Sequence, residues 1–193
     1  MNKFKEIFCI ILISLLTSCA TMPTKIYPFT HSRTEQIQQF KAITQWNLSG
    51  ILSIRTNNSG GSAHWSWQQM GENYTILLSG PLGAGSVRIT GKPNLILLQT
   101  ANGKKISATT ADQLLAEQTG WPLPIANLYY WIRTLPAPKS AYQQQLNSNN
   151  QIIFLKQKNW EINYQYANNK IFPTQITVKN PDILIKIIVK TED

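Results

Sequence analysis

From Trp46 onward, apolar and polar positions alternate with a period of two over most of the chain, which predicts strands with one apolar face. Trp46, Leu48, Leu52 and Ile54 alternate with polar or small neighbours, and Asn57-Asn58-Ser59-Gly60-Gly61 reads as a turn. The next strand places Ala63, Trp65 and Trp67 on one face and His64, Ser66 and Gln68 on the other. Strands follow at Tyr74–Ser79, Ser86–Thr90, Leu95–Thr100 and Lys105–Ala108, with Asn102-Gly103 as a two-residue hairpin signal between the last two. After an interruption the alternation resumes at Tyr142–Leu146, Ile152–Gln157, Trp160–Ala167, Thr174–Lys179 and Leu184–Val189.

Three stretches show helical spacing instead. Ile37, Phe40 and Ile43 recur at three-residue steps within Thr34–Thr44. Ala111–Gln118 has Thr110 as a capping residue, Leu114 and Leu115 inward, and Gly120 as a stop. Ile125–Arg133 carries Leu128, Trp131 and Ile132 and ends before Leu135-Pro136-Ala137-Pro138. Helices inserted into a long antiparallel meander predict a mainly β, single-domain fold. The expected form is an unclosed (half) β-barrel of about 10–11 antiparallel strands, with the helices covering an open apolar cavity.

The N-terminus follows another pattern. Lys3 and Lys5 precede an apolar run from Ile7 to Leu16, and Leu16-Thr17-Ser18-Cys19 resembles a bacterial lipobox. This predicts a lipoprotein signal peptide over residues 1–18, a lipidated, proline-broken tether over 19–31, and one domain over 32–193. Cys19 then carries N-acyl and S-diacylglycerol groups, and no other cofactor is expected. Cys9 leaves with the signal, so no disulfide is available. Ala20 after the cysteine, where aspartate tends to retain lipoproteins at the inner membrane, resembles the pattern for release to the outer membrane.

The formal net charge is +9, and the signal segment accounts for +1 of it. The cations are scattered, with Lys104-Lys105 the only adjacent pair after the signal, and nucleic-acid binding would want a concentrated stripe. The acidic residues form no close pair suited to hydrolysis, and His31 and His64 stand apart. HExxH, GxSxG, Walker A and GxGxxG patterns are absent. No catalytic residue, metal site or enzyme activity is expected. Tryptophans on one strand face and on the middle helix read either as plain core or as the wall of a cavity sized for acyl chains. Gly80-Pro81-Leu82-Gly83-Ala84-Gly85 makes a stiff turn with Leu82 near its tip.

Several of these segments resemble one family. Trp65-Ser66-Trp67-Gln68-Gln69 followed by Tyr74 to Gly83, then Thr119-Gly120-Trp121-Pro122-Leu123-Pro124 with Leu128-Tyr129-Tyr130-Trp131-Ile132, and Asn159 to Tyr164, are similar in order and spacing to LolB, the outer-membrane lipoprotein receptors. The resemblance implies a LolA/LolB-like half-barrel that takes the acyl chains of lipoproteins from a LolA-like periplasmic carrier and inserts them into the outer membrane. It implies that Trp67, Trp131, Trp160, Leu78 and Leu128 line the acyl cavity and that Leu82 enters the membrane. Arg133 stands where the family tends to be apolar, and Trp121 replaces a smaller apolar residue. The expected location is the outer membrane, lipid-anchored and facing the periplasm, as a monomer without nucleic-acid partners. A lipid-binding sensor of envelope stress and, further off, a cell-wall hydrolase are the competing readings.

Overall fold

The computed structural model describes residues 32–81, 85–93, 95–167, 170 and 172–190. Helix α1 (Arg33–Ala42) starts on a capping box: the Glu35 N–H donates to Ser32 Oγ (3.3 Å), and the Ser32 N–H donates to Glu35 Oε2 (2.8 Å). Its covered face is Arg33, Gln36 and Phe40 rather than a purely apolar stripe.

The strands are β1 (Gln45–Thr56), β2 (Gly60–Met70), β3 (Asn73–Ser79), β4 (Val87–Lys92), β5 (Leu95–Thr100), β6 (Lys105–Ala108), β7 (Tyr142–Leu146), β8 (Ile152–Gln157), β9 (Trp160–Gln165), β10 (Gln175–Lys179) and β11 (Ile183–Lys190). They form one antiparallel sheet in the order β6-β5-β4-β3-β2-β1-β11-β10-β9-β8-β7. Two meanders, β1–β6 and β7–β11, are therefore joined at the middle by β1 and β11. Thr56 lies opposite Ile183, and Ser49 opposite Lys190. β6 and β7 are the two edges, and no pairing closes them among the described residues. The expected unclosed antiparallel sheet is what the chain forms.

The chain leaves one edge and returns at the other through α2 (Ala111–Thr119) and α3 (Ile125–Trp131). Thr110 occupies the N-cap position of α2 without a side-chain cap bond, whereas Gly120 ends the helix in the left-handed region (φ 71°), donating to the Ala116 carbonyl at 2.9 Å. α3 stops at Trp131, two residues short of the expected end, and Thr134 turns the chain at φ 58°.

Inward positions of both meanders and the undersides of α2 and α3 form one core. Ile89, Leu98, Leu155, Ile162, Ile176, Val178 and Ile185 from the sheet meet Leu114, Leu115, Leu128 and Trp131 from the helices. Two glycines let aromatic rings lie flat on the inward face. A side chain at Gly50 would overlap the Ile188 carbonyl oxygen and lie 3.1 Å from Trp65 Nε1, and one at Gly91 would overlap the Tyr74 ring. Glycine beneath an aromatic ring also relieves crowding where a sheet curls.

Candidate functional site: the covered apolar interior

Every indole in an apolar interior carries one N–H that needs an acceptor. Trp131, 1% exposed, donates to Gln157 Oε1 at 3.0 Å. The same amide oxygen accepts the Ala137 N–H (2.9 Å), while Gln157 Nε2 donates to the carbonyls of Ala137 (2.7 Å) and Ser140 (3.2 Å). One buried glutamine thus ties the end of the α3 turn to strand β8. The Tyr164 hydroxyl donates to the Trp131 carbonyl at 3.0 Å, and burial holds that phenol well above its usual pKa. Trp160 packs on Trp131 with ring centroids 5.7 Å apart.

A second aromatic group lies around Trp67. Its indole donates to Gln69 Oε1 (2.9 Å), and Gln69 Nε2 donates on to the Gly71 carbonyl (2.7 Å). Trp46, Tyr74 and Tyr129 surround it at centroid distances of 6.3, 6.0 and 6.5 Å. The Arg133 guanidinium stacks here, 4.1 Å from the Tyr129 ring and 4.8 Å from Trp46. It donates to the Tyr129 carbonyl (3.1 Å) and to the carbonyls of Ile43 (3.0 Å) and Phe40 (3.4 Å) at the end of α1. A cation suits the negative end of a helix. Burial lowers the Arg133 pKa from its ordinary value, and carbonyls and aromatic faces take the place of a carboxylate. Arg33 is placed similarly, donating to the Thr134 carbonyl and to Gln144 Oε1, with its pKa also lowered by burial.

Among the described residues, openings at three places border this interior. A cavity of about 720 Å³ lies between the β3–β4 and β5–β6 ends of the sheet and the end of α2, bounded by Leu78, Gly80, Gly85, Val87, Lys104 and Trp121. A cleft of about 500 Å³ is bordered by Trp67, Tyr74, Ile96, Asp112, Ile125 and Tyr129. A third, about 480 Å³, runs between α1 and the segment after α3, past Ile37, Tyr130, Arg133 and Pro136. All three fall within the roughly 300–1,000 Å³ of ligand pockets.

Of the residues expected to line an acyl cavity, Leu78 borders the opening of about 720 Å³ and Trp67 the cleft of about 500 Å³. Trp131 and Leu128 (3% exposed) are packed inside, and half-buried Trp160 lies against Trp131. The undersides of α2 and α3 pack against the inward face of the sheet beside these openings. Cys19 and Leu82 lie outside the described residues.

The polar groups described in the interior serve mainly as structural partners. Asp112 accepts the Ala126 N–H (3.2 Å) and so fastens α2 to the start of α3; burial raises its pKa, outweighing its backbone hydrogen bonds. Among the described residues, no three His, Cys, Asp or Glu side chains are grouped to hold a metal ion. Gln157 and Arg33 do not stand out in the sequence, whereas Gln69 belongs to the Trp65–Gln69 motif that carries the family resemblance. The available signal for Gln157 is its inward parity with Leu155 at the end of an alternating strand.

Residues 44–191 match the family model described as outer membrane lipoprotein LolB. A curated relative from Francisella tularensis subsp. tularensis (strain SCHU S4 / Schu 4), named outer-membrane lipoprotein LolB, is 34% identical over 195 residues, covering 98% of this chain and 94% of that protein. A relative of the same name from Pseudomonas savastanoi pv. phaseolicola is 33% identical over 186 residues, covering 93% and 91%. Among solved structures, a DUF1329 family protein from Desulfovibrio piger shares the fold with a TM-score of 0.51 at 9% identity, over 82% of this chain and 89% of that one.

Proposed function

The chain belongs to the LolB family of outer-membrane lipoproteins, and from that premise we propose how its interior accepts acylated lipoproteins and passes them to the outer membrane. The observation that carries the mechanism is the α2–α3 underside packed against the inward face of the sheet, next to the opening at Leu78. Leu114, Leu115, Leu123, Ile125, Leu128 and Trp131 from the α2–α3 segment are each 5% exposed or less and lie against a sheet that does not close. The segment acts as a lid whose underside stands in for cargo.

Acyl chains entering the interior displace those side chains, so apolar contact is exchanged for apolar contact. Each methylene taken from water contributes about 0.8 kcal/mol, but here it replaces lid surface that was also buried. Binding is then close to balanced, which suits a step in which cargo must arrive and leave without ATP. The seam between α1 and the lid supports opening at that place. Arg33 Nη1, Thr134 Oγ1 and Trp46 Nε1 are buried there without hydrogen-bond partners. Each such atom costs about 1–3 kcal/mol in the closed form.

A LolA-like periplasmic carrier delivers the cargo, and the bilayer is the larger apolar sink that receives it. Acyl groups on Cys19 hold the domain at that membrane, with residues 19–31 as the tether. No covalent step on the cargo is required, and the protein is not an enzyme. Leu82 enters the membrane surface during release. Burying one leucine is worth about 1.5–3 kcal/mol, enough to bias a transient contact by ten- to a hundredfold without making it permanent.

The test is a two-step transfer assay from carrier-bound lipoprotein to outer-membrane vesicles, comparing the natural protein with Leu82→Glu. The expected result is unchanged capture and delivery slowed at least tenfold. Equal delivery by both would remove Leu82 from the mechanism. No capture by the natural protein would overturn the transfer reading itself.

A further inference from the structure

The face of the sheet that points away from the lid has a charge pattern the interior does not explain. Across the outward positions of the strands stand six exposed cations, Arg55, Arg88, Lys92, Lys105, Lys186 and Lys190. None of the six forms an ion pair with a described residue. Two more, Lys156 and Lys179, share Glu161 at 3.6 and 3.0 Å. Glu161 is the only acidic residue on any described strand; Glu35, Glu72, Asp112, Glu117 and Asp182 lie on helices and turns. The backbone pairing sets some of these cations in rows: Arg88 and Lys105 both face Gln99 from the two sides of β5, and Lys190 faces Ser49 across the central joint.

At the middle of this face, on the two strands that join the meanders, Ile51 and Ile188 lie directly opposite each other. They are 39% and 46% exposed, although they belong to the best-paired part of the sheet. Lys186 and Lys190 flank Ile188 along β11, and Arg55 lies on the same side of β1. An apolar pair within a field of unpaired cations is complementary to a surface that is anionic outside and apolar just beneath.

We propose that this outward face of the sheet rests on the anionic phospholipid surface of the membrane to which the chain is anchored, leaving the lid side turned to the periplasm. The inference builds on the outer-membrane placement above. Protein interfaces are depleted in lysine and enriched in aromatic side chains at their centres. Here four of the six unpaired cations are lysines, and the central pair is aliphatic. Flexible lysines spread over a sheet about 50 Å broad suit a laterally fluid array of phosphates better than one fixed protein partner. The lipid tether supplies the proximity, so each weak contact acts at high effective concentration.

The experiment uses the full acylated chain in vesicles of phosphatidylcholine alone or of phosphatidylcholine mixed with phosphatidylglycerol. A polarity-sensitive dye is attached at Ser53→Cys, which lies opposite Lys186 on the outward face, or at Gln113→Cys on the exposed side of α2. The expected result is a blue shift at position 53 in anionic vesicles only, reversed as added salt shortens the Debye length to a few ångström, with position 113 unchanged. Lys186→Gln and Lys190→Gln should each lower the face-bound population about fivefold. Equal dye signals in the two vesicle types would overturn the proposal. So would a shift at position 53 that needs added carrier, because the face would then be the carrier's dock. Cargo capture is followed in the same samples: capture without the shift removes only this inference, whereas a shift without capture removes the transfer reading and leaves the membrane contact standing.

Discussion

Replacing Gly50 by alanine is expected to destabilise the domain by about 2–4 kcal/mol, a large share of its total stability. The added methyl meets the Ile188 carbonyl, a backbone atom held in the ladder between β1 and β11. Neither strand can shift alone, because each is also paired on its other side, β1 with β2 and β11 with β10. Overpacking of this kind costs typically 1–3 kcal/mol. The methyl also intrudes beside the Trp65 indole, whose Nε1–H crosses the glycine to reach the Ile188 carbonyl at 3.3 Å, and losing that bond adds about 1 kcal/mol. Domains have only about 5–15 kcal/mol in total. Urea unfolding followed by tryptophan emission checks this: the midpoint should fall steeply for Gly50→Ala, while Gly71→Ala, with nothing near its would-be side chain, should lose much less.

Gln157→Leu is expected to have an effect of similar size for a different reason. Leucine roughly matches the volume of glutamine, so little is lost in packing. What disappears is the amide that serves the Trp131 Nε1–H, the Ala137 N–H and the carbonyls of Ala137 and Ser140 together. Four groups lose their partner beside a side chain that is 3% exposed. At about 1–3 kcal/mol for each that stays dry, a total of about 3–6 kcal/mol follows if some of them reach water. The loss should concentrate where the lid joins the sheet. Hydrogen exchange is the sensitive measurement: protection should fall first at Ala137 and in the turn after Trp131, before the β1–β11 ladder. Uniform loss across the sheet would contradict the role given to Gln157.

These two residues also mark how far the sequence could be read. Alternation and the turn signals between apolar runs placed the eleven strands within about three residues of their ends, the largest miss being β2, which begins at Gly60 inside the segment read as a turn. The unclosed sheet followed from helices interrupting a meander of that length. Alternation reports which side of a strand is inward, but not whether the inward space is empty or occupied. Trp67 is inward on the sheet, and Leu128 and Trp131 project from α3 against that sheet; nothing local to these residues encodes how closely the two surfaces pack. Arg33 lies just before the helix expected at Thr34–Thr44, and Arg133 is marked only by standing where the family tends to be apolar. They are buried because the carbonyls of Thr134, Ile43 and Phe40 need donors, a demand created by chain segments some ninety to a hundred residues away. The pairing of Trp131 with Trp160 likewise depends on the topology that brings α3 against β9.

The central claim is that cargo acyl chains take the place of the lid's side chains inside the sheet. All six tryptophans of the chain, Trp46, Trp65, Trp67, Trp121, Trp131 and Trp160, belong to that core or pack against it. They are built-in probes of what enters. Carrier-bound lipoprotein bearing brominated acyl chains should be mixed with the protein and tryptophan emission followed as cargo is captured. Bromine quenches only at close contact, so the account predicts a strong fall in emission that accompanies capture, is absent with unbrominated cargo, and shrinks when Trp67 and Trp131 are replaced by phenylalanine. Captured cargo with emission left unchanged would mean that the chains are held elsewhere, and would contradict it.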